Sequence, residues 1–269
     1  TSQEGEYTRI LLEENVSHDL EIGDGEKVVL DLNGYTLTNY TDGCSAIYIK
    51  DGGELIITSS QEGGKINQKS TSTAPVVNND GTLIIEEGTI EASARRQAAV
   101  YNAGDVTVCG GTITTTGNDI FGFTNEGTAT ITGGKFIQAY NYSIINNANV
   151  MKIQGGNFEI STGNTNAYSL ITNQGSANKA SLEVTAGTFK ANANVFFNDD
   201  EDTIAISGGS YSHDISEYVA DGYTMTEENG QFVLNKDEEV KEPESSEPGK
   251  EDTTIEENPN TYDNILVYV

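Results

Sequence analysis

Apolar residues in this chain alternate with polar ones in runs only a few residues long, and glycine, asparagine and serine separate the runs. That is the signature of short strands joined by tight turns. Residues 102–125 show the unit. Val106-Thr107-Val108 leads to a Gly110-Gly111 corner, then Thr112-Ile113-Thr114, a polar link, Ile120-Phe121-Gly122-Phe123 and Asn125. No helix-length window places apolar residues at i, i+3, i+4 and i+7, so a helical architecture is excluded.

The unit repeats. Gly-Gly or a near variant recurs at Gly63-Gly64, Glu87-Gly88, Gly110-Gly111, Gly133-Gly134, Gly155-Gly156, Ala186-Gly187 and Gly208-Gly209, in steps of 24, 23, 23, 22, 31 and 22 residues. A fixed period of this length means a stacked solenoid, in which each coil buries its apolar face against its neighbours. The inward parity persists along the stack. Leu55/Ile57, Leu83/Ile85, Val106/Val108, Ala129/Ile131, Met151/Ile153, Leu182/Val184 and Ile204/Ile206 occupy the first strand. Ile66, Ile90, Ile113, Phe136, Phe158, Phe189 and Tyr211 follow the corner, and Ile49, Val77, Val100, Phe123, Ile145, Ile171 and Phe196 fill the third strand. Period-two alternation turns each set to one face.

One polar column shares this register. Counting six back from the last inward residue of each first strand gives Asp51, Asn79, Asn102, Asn125 and Asn147, and Asn173 and Asn198 continue the pattern. Stacked side-chain amides bond above and below, so the column predicts a buried ladder that belongs to the scaffold. The 31-residue step predicts an additional loop at 162–179.

Three short strands per coil, a glycine corner and an inward asparagine column resemble the right-handed parallel β-helix of the pectate-lyase-like superfamily. The opening Lys27-Val28-Val29-Leu30-Asp31-Leu32-Asn33-Gly34-Tyr35-Thr36-Leu37 is similar to a first coil of such proteins. The stretch from Gly208-Gly209-Ser210-Tyr211 to Asp221-Gly222-Tyr223 resembles the last coil and cap of surface proteins from gut Firmicutes. The resemblance covers about residues 20–234. It implies an all-β right-handed parallel β-helix of about eight coils, a rod on the order of 40 Å at about 4.8 Å per coil. The expected organisation is an N-terminal cap at 1–26, the helix at 27–222, a capping hairpin at 223–234 and an acidic linker with the start of an anchor at 235–269. The hairpin rests on the Glu228-Asn229-Gly230 turn between two alternating runs.

Charge adds a constraint. The net charge is −28, and 31 acids against 11 bases remain when 235–269 is set aside. Such a field repels phosphate backbones, so no nucleic-acid partner is expected. Cys44 and Cys109 fall in different coils and are expected to be free. Residues 235–257 are Glu, Lys, Pro and Ser with almost no apolar residue, a self-repelling linker. Beyond it, Asn258-Pro259-Asn260-Thr261 before an apolar run resembles a sortase-type sorting signal, with Tyr262 where glycine is usual. This resemblance implies an extracellular protein tethered at its C-terminus to the wall or membrane of a bacterial cell.

Fold alone leaves activity open, because this architecture carries lyases, hydrolases, adhesins and inert stalks. Family lyases use calcium-binding carboxylates with an Arg or Lys base, and family hydrolases use paired outward Asp. The outward second-strand row here reads Asn67, Glu91, Thr114, Ile137, Glu159, Lys190 and Ser212. Glu91 and Glu159 lie three coils apart, about 14 Å, too far for paired carboxylate chemistry. No catalytic residue is therefore assigned. Asp199, Asp200 and Asp202 either hold calcium, the one cofactor considered, or form a solvated acidic turn. Arg95-Arg96 either grips a carboxylate or meets local glutamates. Tyr101, Tyr140, Tyr142 and Tyr168, with Phe197 in the row of Tyr101, offer ring faces to sugars or pack their own loops. The expectation is a monomeric, non-catalytic adhesin or glycan-contacting surface protein, its partners host or dietary glycans or a host surface protein. A polysaccharide lyase or glycoside hydrolase, and a passive stalk, are the alternatives.

Overall fold

The computed structural model describes residues 1–68, 71–93, 98–117, 120–140, 142–161, 168–175 and 178–237. Residues 1–237 form one compact unit, and 238–269 fall in a second. The first unit is an all-β parallel solenoid of about eight coils. Among the described residues the one helical element is the 3-10 turn Ser216–Tyr218, and no helix is long and apolar enough to cross a membrane.

Each coil contributes one strand to each of three rows. The first row runs Lys27–Asp31, Glu54–Thr58, Thr82–Ile85, Asp105–Val108, Thr128–Ile131, the start of Val150–Ile160, the start of Ser181–Lys190, and Thr203–Ile206. The second row follows the glycine corner, from Thr36–Asn39 through Thr89–Ala92 and Lys135–Gln138 to Ser210–Tyr211. The third is an eight-stranded parallel sheet from Leu20–Ile22 to Phe196–Asn198.

Burial follows parity. Ile66, Ile90, Ile113, Phe136, Phe158, Phe189 and Tyr211 are all buried and pair in register from coil to coil. The rings stack face to face, with centroids 4.7 Å apart for Phe136–Phe158, 4.8 Å for Phe158–Phe189 and 4.8 Å for Phe189–Tyr211. The strand spacing falls within the centroid separation of offset-stacked rings, so the solenoid period itself sets the stack. Tyr211 donates its hydroxyl to the Gly208 carbonyl at 2.6 Å, and burial pushes its pKa upward.

The corner glycines answer two demands. Gly88, Gly111, Gly134, Gly156 and Gly209 hold φ between 72° and 108°, a left-handed conformation that L side chains resist. Where the residue before them is also glycine, as at Gly110, Gly133, Gly155 and Gly208, the reason is different. A Cβ on Gly133 would lie 2.2 Å from the Cys109 carbonyl oxygen of the preceding coil.

The asparagine column is a chain of hydrogen bonds. Each Nδ2 donates to the next Oδ1: Asn79 to Asn102 at 2.6 Å, Asn102 to Asn125 at 2.8 Å, Asn125 to Asn147 at 2.8 Å, Asn147 to Asn173 at 2.7 Å and Asn173 to Asn198 at 2.7 Å. Asn198 ends the chain on the Asp202 carbonyl at 2.9 Å. Asp51 is not part of it. Ile49 pairs with Asn79, and Ile22 with Ile49, so isoleucines hold this position in the first two coils. The turn of the second coil, between Ile49 and Glu54, is two residues longer than that between Asn79 and Thr82, so counting back lands two residues late, on an exposed aspartate. The same shift makes Ile47, and not Ile49, the partner of Val77. Asn79 Oδ1 faces this apolar end without a hydrogen-bond donor.

Both ends of the stack are closed. Within 1–26, Tyr7–Leu11 pairs in parallel with the first row, and Ser2–Glu4 folds back antiparallel on it. Arg9 reaches buried Asp31 at 2.7 Å. Burial would raise the Asp31 pKa, but the Ser60 amide, Arg9 and the Asn33 amide outweigh it and lower it. At the other end Tyr223–Glu228 and Gln231–Lys236 form a hairpin around Asn229 and Gly230, both at positive φ. Its second strand pairs antiparallel with Ser210–Tyr211. Ala220 donates its amide to Ile206 at 2.8 Å, and Tyr218 packs edge-on against Phe196 with centroids 5.8 Å apart. At this end each row therefore meets a covering segment.

Candidate functional site

The outward side chains of the third sheet form a register row: Glu21, Tyr48, Asn78, Tyr101, Thr124, Asn146, Thr172 and Phe197. Its two tyrosines are tied down. Tyr48 donates its hydroxyl to Asp80 at 2.7 Å, and Tyr101 to Glu126 at 2.6 Å. Desolvation, then the bond to Glu126, push the Tyr101 pKa up to about 12. Phe197 has no hydroxyl with which to make such a bond and is 46% exposed.

Beside this row, the links that enter the third sheet carry further rings. Phe121 meets Tyr142 edge-on, with centroids 4.6 Å apart, and Tyr142 meets Tyr168 at 5.0 Å with planes tilted by 40°. The three rings come from three successive links, so the solenoid repeat spaces them as it spaces the core phenylalanines. A buried amide anchors the middle link. Gln138 Nε2 donates to the Ile120 carbonyl at 2.7 Å, and the Tyr140 amide donates to Gln138 Oε1 at 3.1 Å.

Phe121, Tyr142, Tyr168 and Phe197, with Ser143, Ser169, Thr172 and Gln174, enclose a groove of about 260 Å³. Ser143 and Thr172 share a hydrogen bond of 2.8 Å, and Gln174 donates to Asp199 at 3.2 Å. No lining residue is charged. The arrangement offers apolar ring faces next to neutral hydroxyl and amide groups, which suits a ligand that is apolar on one side and hydroxylated on its edges.

Of the four tyrosines singled out in the sequence, the structure brings Tyr142 and Tyr168 together. Tyr140 is exposed but does not line the groove, and Tyr101 lies four coils from Phe197 along the same row. Phe121 was missed as a site residue. It lies in a link where Ile120, Gly122 and Phe123 are all buried, so strand parity does not hold and gives no signal for it.

Two carboxylates of the acidic turn are taken up by local hydrogen bonds. Asp202 directs its two carboxylate oxygens at the Gly175 and Ala180 amides, at 2.6 and 2.7 Å, and Asp199 accepts from Gln174 and the Asp200 amide. Asp199, Asp200 and Asp202 therefore do not converge, and among the described residues no three His, Cys, Asp or Glu side chains do so. Cys44 and Cys109 are exposed free thiols. On the outward faces, lysines pair with single glutamates of adjacent coils: Lys65–Glu91 at 3.0 Å, Lys190–Glu159 at 2.7 Å and Lys152–Glu183 at 3.4 Å. A larger depression of about 720 Å³ follows the glycine corner, lined by Ser59 to Gly64, Gly88, Gly111, Gly134 and Lys135. Its floor is bare because the corner requires glycine, and no aromatic ring lines it. Arg95, Arg96 and the Asn258, Pro259 and Thr261 motif lie outside the described residues.

No family of known proteins, no curated protein and no solved structure matches this chain.

Proposed function

We propose that this protein is a non-catalytic surface module, an adhesin or glycan-contacting solenoid, whose contact site is the groove of Phe121, Tyr142, Tyr168 and Phe197. The observation that carries this reading is a strip of partly exposed rings beside neutral polar groups. Ring faces take the C–H side of a sugar while hydroxyls and amides meet its edges. The solenoid serves as the rigid support, since each strand is held on both sides by its neighbours. The acidic linker and the Asn-Pro-Asn-Thr segment fit a role at a bacterial cell surface, with the tether at the C-terminal side and host or dietary glycans as partners.

A saccharide array read with the purified protein tests the proposal. Binding to at least one class is expected, with the Tyr142→Ala/Tyr168→Ala double variant losing it while keeping its unfolding transition. An empty array across host and plant saccharides would leave the passive stalk as the better account. Shortened products in the same incubation would move the reading to a lyase or hydrolase.

A further inference from the structure

Resting on the glycan-contacting reading, we infer that the groove takes neutral saccharides and discriminates against charged ones. The first argument is local charge. The whole chain carries −28, yet residues 120–181 contain only Glu126 and Glu159 against Lys135, Lys152 and Lys179. The residues next to the lining segments in sequence that the structure does not describe, 118–119, Asn141, 162–167 and 176–177, contain Asp119 as their one ionisable side chain. The groove lining is thus uncharged, bounded in sequence by Asp119 before Phe121 and by Asp199, Asp200, Glu201 and Asp202 after Phe197. Asp199 accepts a hydrogen bond from the lining Gln174 amide at 3.2 Å.

An anionic sugar would have to shed water from its carboxylate where no lining lysine or arginine replaces that water, and in a repelling field. No three acidic side chains converge nearby to recruit a bridging divalent ion, among the described residues. A cationic ligand would gain from the field and from a single ring face, but no lining carboxylate is there to pair with it. Here the rings form a strip: Phe121, Tyr142, Tyr168 and Phe197 belong to four successive coils, with neighbouring planes at 62° and 40° for the first two pairs. Three coil steps span about 14 Å, enough for about two or three linked sugar rings. Ser143, Ser169, Thr172 and Gln174 then supply uncharged partners to the hydroxyls along one edge.

Calorimetric titration of the 1–269 chain with three probes decides this: a neutral gluco- or manno-oligosaccharide, an oligogalacturonide and a chitosan oligomer of equal length. The neutral probe is expected to bind with an affinity that added salt leaves unchanged, and the two charged probes at least tenfold more weakly. Tyr168→Ala should lower the neutral affinity roughly five- to tenfold, the worth of one lost ring contact. Because Tyr168 is 48% exposed, the unfolding midpoint of that variant should stay in place. Tighter binding of either charged probe, lost in Tyr168→Ala, would overturn the neutral class while leaving the groove as a glycan site. Binding that survives Tyr142→Ala/Tyr168→Ala would overturn the groove. Failure of all three probes would overturn both this inference and the function it rests on.

Discussion

Asn125 shows how one side chain is held and what it holds. Its Oδ1 accepts from Asn102 at 2.8 Å, while its Nδ2 serves Asn147 Oδ1 at 2.8 Å, the Gly127 carbonyl at 3.1 Å and the Val150 carbonyl at 3.0 Å. Buried amides without partners are costly, and the stack lets each residue satisfy its neighbour. Asn125→Ala should therefore leave orphaned groups on both flanking coils and cost about 3 kcal/mol. Urea unfolding would read this as a lower midpoint at unchanged slope. A loss below about 0.5 kcal/mol would mean that water replaces the amide and that the ladder contributes little. The column was legible in the sequence because asparagine recurs from Asn79 onward in steps of 23, 23, 22, 26 and 25 residues. Its start was not, because the turn after Ile49 carries two more residues and displaced the count to Asp51.

The corner is the element that sets the solenoid period, and it fails in a specific way. Gly110, Gly133, Gly155 and Gly208 each sit where a Cβ would come within 2.1, 2.2, 2.3 and 2.0 Å of a carbonyl oxygen of the preceding coil. The two exceptions are informative. Glu87 is exposed and stacks on the coil whose corner is lengthened by the loop from Ser59 to Gly64. Ala186 lies where the pairing with Gln154 shifts register. Gly133→Ala should accordingly destabilise by about 2 kcal/mol or more, since backbone must move to admit the methyl. Glu87→Gly, which adds no atom, should change the thermal midpoint little. Equal effects of the two substitutions would sink this account of the corner. Glycine pairs were visible as a pattern, but their division into one left-handed residue and one crowded residue requires the neighbouring coil.

At the scale of the molecule the open question for any solenoid is how its ends avoid adding another strand. Here Gln231–Lys236 pairs antiparallel with Ser210–Tyr211, and Phe232 and Leu234 pack on the core. A chain ending before Tyr223 would expose that edge together with the base of the Phe136–Tyr211 ring stack. It is expected to elute as larger species than the 1–269 chain in size-exclusion chromatography and to unfold at a lower temperature. No added association and unchanged stability would show that the turn at Ser216–Tyr218 closes the stack alone.

The sequence by itself determined the class of fold, the stacking of like on like and the capping hairpin. Those follow from parity, period and turn chemistry, which are local and recur in every coil. It also identified tyrosines in the links as candidates for contact. What only the tertiary structure decided is which of them meet. Tyr142 and Tyr168 converge with Phe121 and Phe197, Tyr101 is drawn to Glu126, and Asp202 turns to backbone amides. Links vary in length from coil to coil, so the position of a ring at the groove depends on how many coils lie between residues and how far each link reaches. That information is absent from any single repeat and appears when neighbouring coils are stacked.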